Sequence, residues 1–194
     1  MKSQLVVLAG PNGAGKSTFY DAFLSSAELP FLNADLLSSS TGVEPLEAAR
    51  ILDALRDRMI DAGRGFITET VFSDPAGVKL RMMRKAVDAG WQVTLIYIGL
   101  ATAKLAAHRI DQRVRTGGHD VPRDRIRPRF ERSLENLSAA LRFVPTVKIY
   151  DNSSSKEPYL HIATFENGKQ TLRLSGSIPA WARSVIQRFR KGES

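Results

Sequence analysis

The chain has 194 residues, 43% of them hydrophobic, enough to bury a sizeable core and few enough to be read as a single domain over 1–194. It contains no cysteine, which excludes a disulfide framework, a thiolate metal site and a cysteine nucleophile, and fits a reducing cytoplasm. The formal net charge of +8 suits a polyanionic partner, either nucleic acid or a nucleotide, and the excess is local, with eight arginines between Arg109 and Arg132.

In chain order, the apolar run 5–9 has the length of a buried strand and passes into glycine-rich sequence too early to be a signal-peptide core or a membrane span. A helix is predicted over 16–24. Strands at 30–33, 65–70, 91–99 and 146–150 then alternate with helices at 45–62, 75–89, 102–115 and 122–142. Pro45, Pro75 and Pro122 mark first turns, Gly63 and Gly90 follow helix ends, and Leu52, Leu55 and Met59 give the helix 45–62 its apolar face. The alternation predicts an α/β fold, a parallel sheet of about five strands covered by helices on both faces. Within 156–194 the pattern changes: runs at 159–165 and 171–174 flank Asn167-Gly168, a two-residue hairpin signal, and a helix over 179–190 follows.

Gly10-Pro11-Asn12-Gly13-Ala14-Gly15-Lys16-Ser17 fits the spacing G-x-x-x-x-G-K-[ST] and lies between the first strand and the first helix. Glycines let backbone N–H groups turn inward around phosphates, the helix N-terminus adds positive potential, Lys16 reaches the terminal phosphates, and Ser17 can ligate Mg²⁺. With Thr18 in the helix's first turn, this segment predicts a P-loop NTPase that binds ATP with Mg²⁺. The same loop serves kinases, GTPases, helicases and transporters, and the small size of the chain favours a nucleotide-kinase-like architecture.

Asp35 follows the second strand and should emerge at the carboxyl edge of the sheet, where open α/β sheets bind ligands. It suits two roles, accepting the proton of an attacking hydroxyl or capping a turn. Glu69 ends the third strand, expected beside the first, and reads either as a partner for a substrate hydroxyl, a Mg²⁺-bound water or an arginine, or as an exposed edge residue. Thr68, Thr70 and Ser73 add hydrogen-bonding groups at that edge.

The segment 101–142 reads as an arginine-rich helical lid, two helices joined by the glycine-rich stretch 116–121. In the second helix Ile126, Phe130, Leu134, Leu137 and Leu141 form an apolar face while Arg125, Arg129 and Arg132 share another, and Pro128 is expected to interrupt and kink it. Arg113 and Arg129 flank the loop on its two helices, with Arg109 behind them, and are suited to stabilising charge on a transferring phosphoryl group. His119 either orients a substrate or caps the loop, and Asp120 is expected to cap the second helix.

Together, the glycine-rich loop, Asn33-Ala34-Asp35, Thr68-Glu69-Thr70, the arginine helix with Gly117-Gly118-His119-Asp120-Val121-Pro122, and Tyr150-Asp151-Asn152-Ser153 resemble the zeta toxin family of P-loop kinases in its short form, over roughly residues 4–153. Characterised zeta toxins phosphorylate UDP-N-acetylglucosamine at a sugar hydroxyl with ATP and Mg²⁺ and so interfere with bacterial cell-wall synthesis. The resemblance implies that activity, and an antitoxin protein as partner. It implies Lys16 on the terminal phosphates, Asp35 as base, Glu69 and Thr70 lining the acceptor pocket, Arg113 and Arg129 gripping the ATP phosphates, and Asp151 and Asn152 near the nucleotide base. Larger members carry extra segments around the sugar nucleotide, which leaves the acceptor open. Two other readings stand beside it, a nucleic-acid-directed kinase or ATPase and an ATP-dependent regulatory binding module. An aromatic content of 8% without aromatic and basic interleaving speaks against a single-strand platform.

Overall fold

In a computed structural model of the chain, residues 2–117, 120–173 and 178–191 are described. The elements run β1 (Gln4–Ala9), α1 (Lys16–Phe23), β2 (Phe31–Leu32), α2 (Ala34–Thr41), α3 (Pro45–Asp61), β3 (Phe66–Thr70), α4 (Val78–Asp88), β4 (Gln92–Gly99), α5 (Ala103–Arg115), α6 (Arg123–Ala140), β5 (Thr146–Asp151), β6 (Leu160–Glu166), β7 (Lys169–Arg173) and α7 (Ala180–Lys191). The strands form one sheet in the order β2-β3-β1-β4-β5-β6-β7.

The first five of these in space are parallel, as the alternation of strands and helices predicts. Among the described residues the sheet nevertheless has seven strands rather than about five, because the C-terminal hairpin adds antiparallel to β5. That pairing covers an edge of β5 whose backbone groups would otherwise lack partners. Asn167 and Gly168 turn the hairpin with φ of 49° and 76°, the doubly left-handed geometry that an Asn-Gly pair favours.

Period-two alternation builds a core on each face of the sheet. Leu5, Val7, Phe66, Leu95, Tyr97, Val147 and Ile149 meet α3, α4, the second half of α6 and α7 on one side. Leu8, Ile96 and Ile98 meet α1, α5 and the first half of α6 on the other. The apolar face of α6 is therefore shared, with Ile126 and Phe130 serving one core and Leu137 and Leu141 the other.

Several expectations are corrected. Helix α2 lies between the predicted strand 30–33 and helix 45–62, where no element was assigned, since Ser38-Ser39-Ser40-Thr41 shows no apolar period and consists of weak helix formers. It is held instead by its Asn33 cap and by Leu37 against the core. On α3 the inward residues are Ala48, Leu52, Arg56 and Ile60, whereas Leu55 is exposed. Helix α4 starts at Val78 and not at Pro75, because 74–77 form a turn closed by Gly77 N–H on the Asp74 carbonyl at 3.4 Å. Pro128 does not interrupt α6, which continues as one helix from Arg123. The missing N–H would have bonded only a first-turn carbonyl on a solvent-facing stretch, a small loss beside the buried face. Asp120 does not cap α6: its Oδ1 accepts from Val121 N–H at 2.7 Å, and Pro122 holds the cap position without a side-chain bond.

Gly99 ends β4 beneath the Trp181 indole so closely that a Cβ would stand 2.2 Å from its ring carbons. Gly99→Ala should therefore cost about 1–3 kcal/mol by overpacking. The check is the chemical denaturation midpoint, expected to fall with the slope unchanged; an unaltered midpoint would mean that the indole yields without cost.

Candidate functional site

Parallel pairing brings the carboxyl ends of β1, β3, β4 and β5 to one edge, with Ala9 opposite Thr70 and Tyr97, and Gly99 opposite Asp151. Strand β1 lies between β3 and β4, where the chain's strand order reverses, the place where such sheets open a crevice. The glycine-rich loop occupies that point. Gly10 lies at φ 148° with its α-carbon pressed on β4, where a Cβ would fall 2.2 Å from the Ile98 carbonyl oxygen. The loop then turns through Ala14 N–H on the Pro11 carbonyl at 3.2 Å and enters α1, whose first turn carries no acidic residue to cancel its positive end. Asn12 Oδ1 is buried there with no hydrogen-bond partner among the described residues.

Lys16 is the centre of the site. Its side chain is only 6% exposed, its Nζ donates to the Pro11 carbonyl at 3.2 Å, and it lies 3.6 Å from Glu69 Oε1. Burial pushes the ammonium below its ordinary pKa, the Glu69 and Asp35 carboxylates draw it back up, and the Arg113 charge lowers it further. Glu69 Oε2 accepts from Ser17 Oγ at 3.1 Å and from Asn33 Nδ2 at 2.8 Å. One carboxylate thus ties the phosphate loop, the end of β3 and the start of α2. Ser17 and Glu69 offer adjacent hard oxygen donors of the kind Mg²⁺ takes, so these residues fit that ion.

Asp35 stands exposed in the first turn of α2 rather than at a bare strand end, and its charge is felt at Lys16. The cap expected as its alternative role belongs to Asn33, whose Oδ1 accepts from Asp35 N–H at 2.8 Å and Leu36 N–H at 3.2 Å. Across the crevice Arg109 on α5 lies against the loop, its Cβ 3.3 Å from where a Gly13 side chain would begin. Arg113 follows one turn later on the same helix. Arg129 is half-buried, and its pKa is lowered first by that burial and then by Arg125 and Arg132, so the shared arginine face exists. Arg132 Nε donates to the Ser73 carbonyl at 2.9 Å, which joins α6 to the edge after β3.

Other expected residues are committed to the fold. Thr70 Oγ1 accepts from Phe72 N–H at 3.0 Å and shapes the turn leaving β3. Asp151 is buried, its Oδ1 accepting from Trp181 Nε1 at 2.9 Å and Ser153 Oγ at 2.6 Å. Asn152 is also turned inward, its Nδ2 donating to the Ala14 carbonyl at 2.9 Å. His119 lies outside the described residues.

Asn33 and Arg56 were assigned no role from the sequence. Asn33 carried a signal, a cap-forming residue at a strand end, but the polar run behind it concealed the helix. Arg56 is buried on the core face of α3, paired with Asp53 at 2.6 Å, and donates through Nε to Thr68 Oγ1 at 2.8 Å, which steadies the strand that carries Glu69. Its only trace was a charge at i+4 from Leu52 and i−4 from Ile60.

Because Asn33 both caps α2 and holds Glu69, its variants should separate the two tasks. Asn33→Ala loses the cap and the bond to Glu69 together and should cost about 1–2 kcal/mol at neutral pH. Asn33→Asp keeps the cap but sets a carboxylate against Glu69, so its deficit relative to wild type should be present at neutral pH and shrink as pH falls to about 4. Denaturant midpoints against pH provide the measurement; a pH-independent Asn33→Asp deficit would refute the repulsion.

Comparison with known proteins agrees with this architecture. A protein of Haemophilus influenzae is 26% identical over 134 residues, covering 67% of this chain and 94% of its own length. Among solved structures, AvrRxo1-ORF1:-ORF2 with ATP superposes with a TM-score of 0.65 at 14% identity, over 98% of this chain and 76% of that one. The PezAT chromosomal toxin–antitoxin system of Streptococcus pneumoniae gives a TM-score of 0.58 at 13% identity, over 98% and 85%. A putative kinase from Chloroflexus aurantiacus gives 0.56 at 19% identity, over 81% and 92%. The model of the zeta toxin family matches residues 32–162, more than half of the chain and the stretch that supplies Asp35, Glu69, Arg113 and Arg129; the chain belongs to the zeta toxin family.

Proposed function

We propose that this protein transfers the γ-phosphate of ATP to a hydroxyl of a small acceptor, with UDP-N-acetylglucosamine or a related nucleotide sugar as that acceptor. The observation that carries the reading is the convergence of Lys16, Ser17 and Glu69 at the mouth of the phosphate loop, with Asp35 close enough to act on Lys16. Family membership supports it, as does the fold shared with an AvrRxo1 complex solved with ATP. The nucleotide sugar rests on the family alone.

In this reading Lys16 turns from Glu69 to the terminal phosphates, exchanging one anionic partner for another, and the N–H groups entering α1 face the same charge. Mg²⁺, held by Ser17 with Glu69 beside it, would offset phosphate charge as the bond to the leaving diphosphate lengthens. Asp35, exposed and placed in the first turn of α2, accepts the proton of the attacking hydroxyl. Arg113, whose charge acts on Lys16, and Arg129 of α6 stabilise charge on the phosphoryl group, and Arg109 lies against the loop. An antitoxin partner is part of the same proposal, supported by the fold shared with the PezAT system.

The test is label transfer from γ-labelled ATP with Mg²⁺ to a panel of nucleotide sugars, nucleosides and oligonucleotides. Wild type should label one small acceptor. Asp35→Asn should bind ATP but transfer about 10²–10⁴ times more slowly, and Lys16→Ala should lose nucleotide binding. Transfer to oligonucleotides alone would replace the acceptor class, and binding without transfer would overturn the kinase reading.

A further inference from the structure

The back of the phosphate loop is held by residues from beyond β5. Tyr159 Oη donates to the Gly15 carbonyl at 2.9 Å, and Asn152 Nδ2 donates to the Ala14 carbonyl at 2.9 Å. The two supports are joined, because Asn152 Oδ1 accepts from Tyr159 N–H at 3.3 Å. Asn152 is itself fixed by its N–H on the Gly99 carbonyl at 3.0 Å, at the carboxyl end of β4. Tyr159 adopts φ 55°, a left-handed conformation that an aromatic residue rarely takes, which orients its phenol towards the loop. Its ring packs on Phe19 of α1 at 5.3 Å and Phe23 at 6.0 Å, and its hydroxyl meets the Thr18 side chain. The fit leaves no slack: a Cβ on Gly15 would lie 2.7 Å from Asn152 Nδ2 and 2.8 Å from Tyr159 Oη.

We propose that Tyr159 is a positioning residue for nucleotide binding, its hydroxyl, with the Asn152 amide, drawing the Ala14 and Gly15 carbonyls backward so that the following N–H groups face the phosphates. The physical reason is that a peptide plane is rigid: anchoring a carbonyl on one side aims the N–H of the next residue to the other. Those next residues are Gly15 and Lys16, the start of α1. The Gly15 carbonyl also accepts from Phe19 N–H at 3.0 Å, the first bond of α1, so loss of the Tyr159 hydroxyl loosens this plane without freeing it, and affinity falls by the fraction of time a carbonyl faces the anion. This inference rests on the nucleotide reading of the loop, and no step of the transfer chemistry passes through Tyr159.

Tyr159→Phe deletes the hydroxyl and keeps the ring in its aromatic packing. Isothermal titration with ADP and Mg²⁺ should show about 2- to 12-fold weaker binding, the effect of one hydrogen bond. In steady-state transfer the KM for ATP should rise while kcat and the acceptor KM hold. A purely structural tyrosine would instead lower the melting temperature without ADP and leave ADP affinity alone. Equal ADP affinity in wild type and Tyr159→Phe overturns the inference while leaving the nucleotide reading intact. Failure of wild type to bind ADP overturns both.

Discussion

A lysine ammonium held almost out of water at the mouth of a glycine-rich loop is the constraint around which the molecule is arranged. Burial of a lone charge is costly, so Lys16 requires anionic company, and the carboxylate that supplies it comes from the neighbouring strand β3. Glu69 reaches it only because β3 pairs beside β1 in register, Ala9 opposite Thr70. The same carboxylate binds Asn33, so the second crossover is drawn to the site and Asp35 arrives with it. Sheet order, loop shape and the start of α2 are thus consequences of satisfying one buried cation. In the proposed function this partnership is exchanged, a phosphate taking the place of Glu69 as counter-charge.

Support for the strand that carries Glu69 comes from a second buried cation. Arg56 contributes its guanidinium to Thr68 on one side and Asp53 on the other, and Asp53 also pairs with Lys79 of α4. Thr68 passes the connection on through its hydroxyl to the Leu32 carbonyl at 3.0 Å. Helices α3 and α4 are thereby tied to the residue that precedes Glu69 and, through it, to the strand that precedes Asn33. Removing Arg56 would leave buried hydrogen-bonding groups without partners, which costs more than the bonds themselves are worth.

The arginines divide by environment rather than by position along the chain. Arg127 pairs with Glu131 and Arg123 with Asp111 at the surface, where ion pairs add little. Arg129 and Arg132 are partly withdrawn from water beside Arg125, with Arg132 on the Ser73 carbonyl. A cluster of like charges is unfavourable by itself and becomes favourable once an anion lies among them.

Much of the fold was legible locally. The apolar strand, the glycine spacing and Lys16-Ser17 are decided within a dozen residues, because the loop works through its own backbone and the helix that follows it. The parallel order was legible from alternation, and the Asn167-Gly168 hairpin from turn chemistry, although that the hairpin completes the same sheet depends on an unpaired edge of β5 that no local pattern records. Helix α2 was hidden because its stability comes from a cap and a core contact rather than from helix-forming residues. Asp151 was singled out only through the family resemblance, and its bond to the Trp181 indole was not legible, because that partner is thirty residues away and only packing of α7 on Gly99 brings the N–H to it. By itself the sequence determined the glycine-rich loop between strand and helix and the place of Lys16 and Ser17 at the start of that helix, since those are properties of short-range spacing. Tertiary structure alone decided which carboxylate keeps Lys16 company, which residues brace the loop from behind and which polar groups are consumed inside, because hydrogen-bond partners are chosen by which elements come to lie side by side.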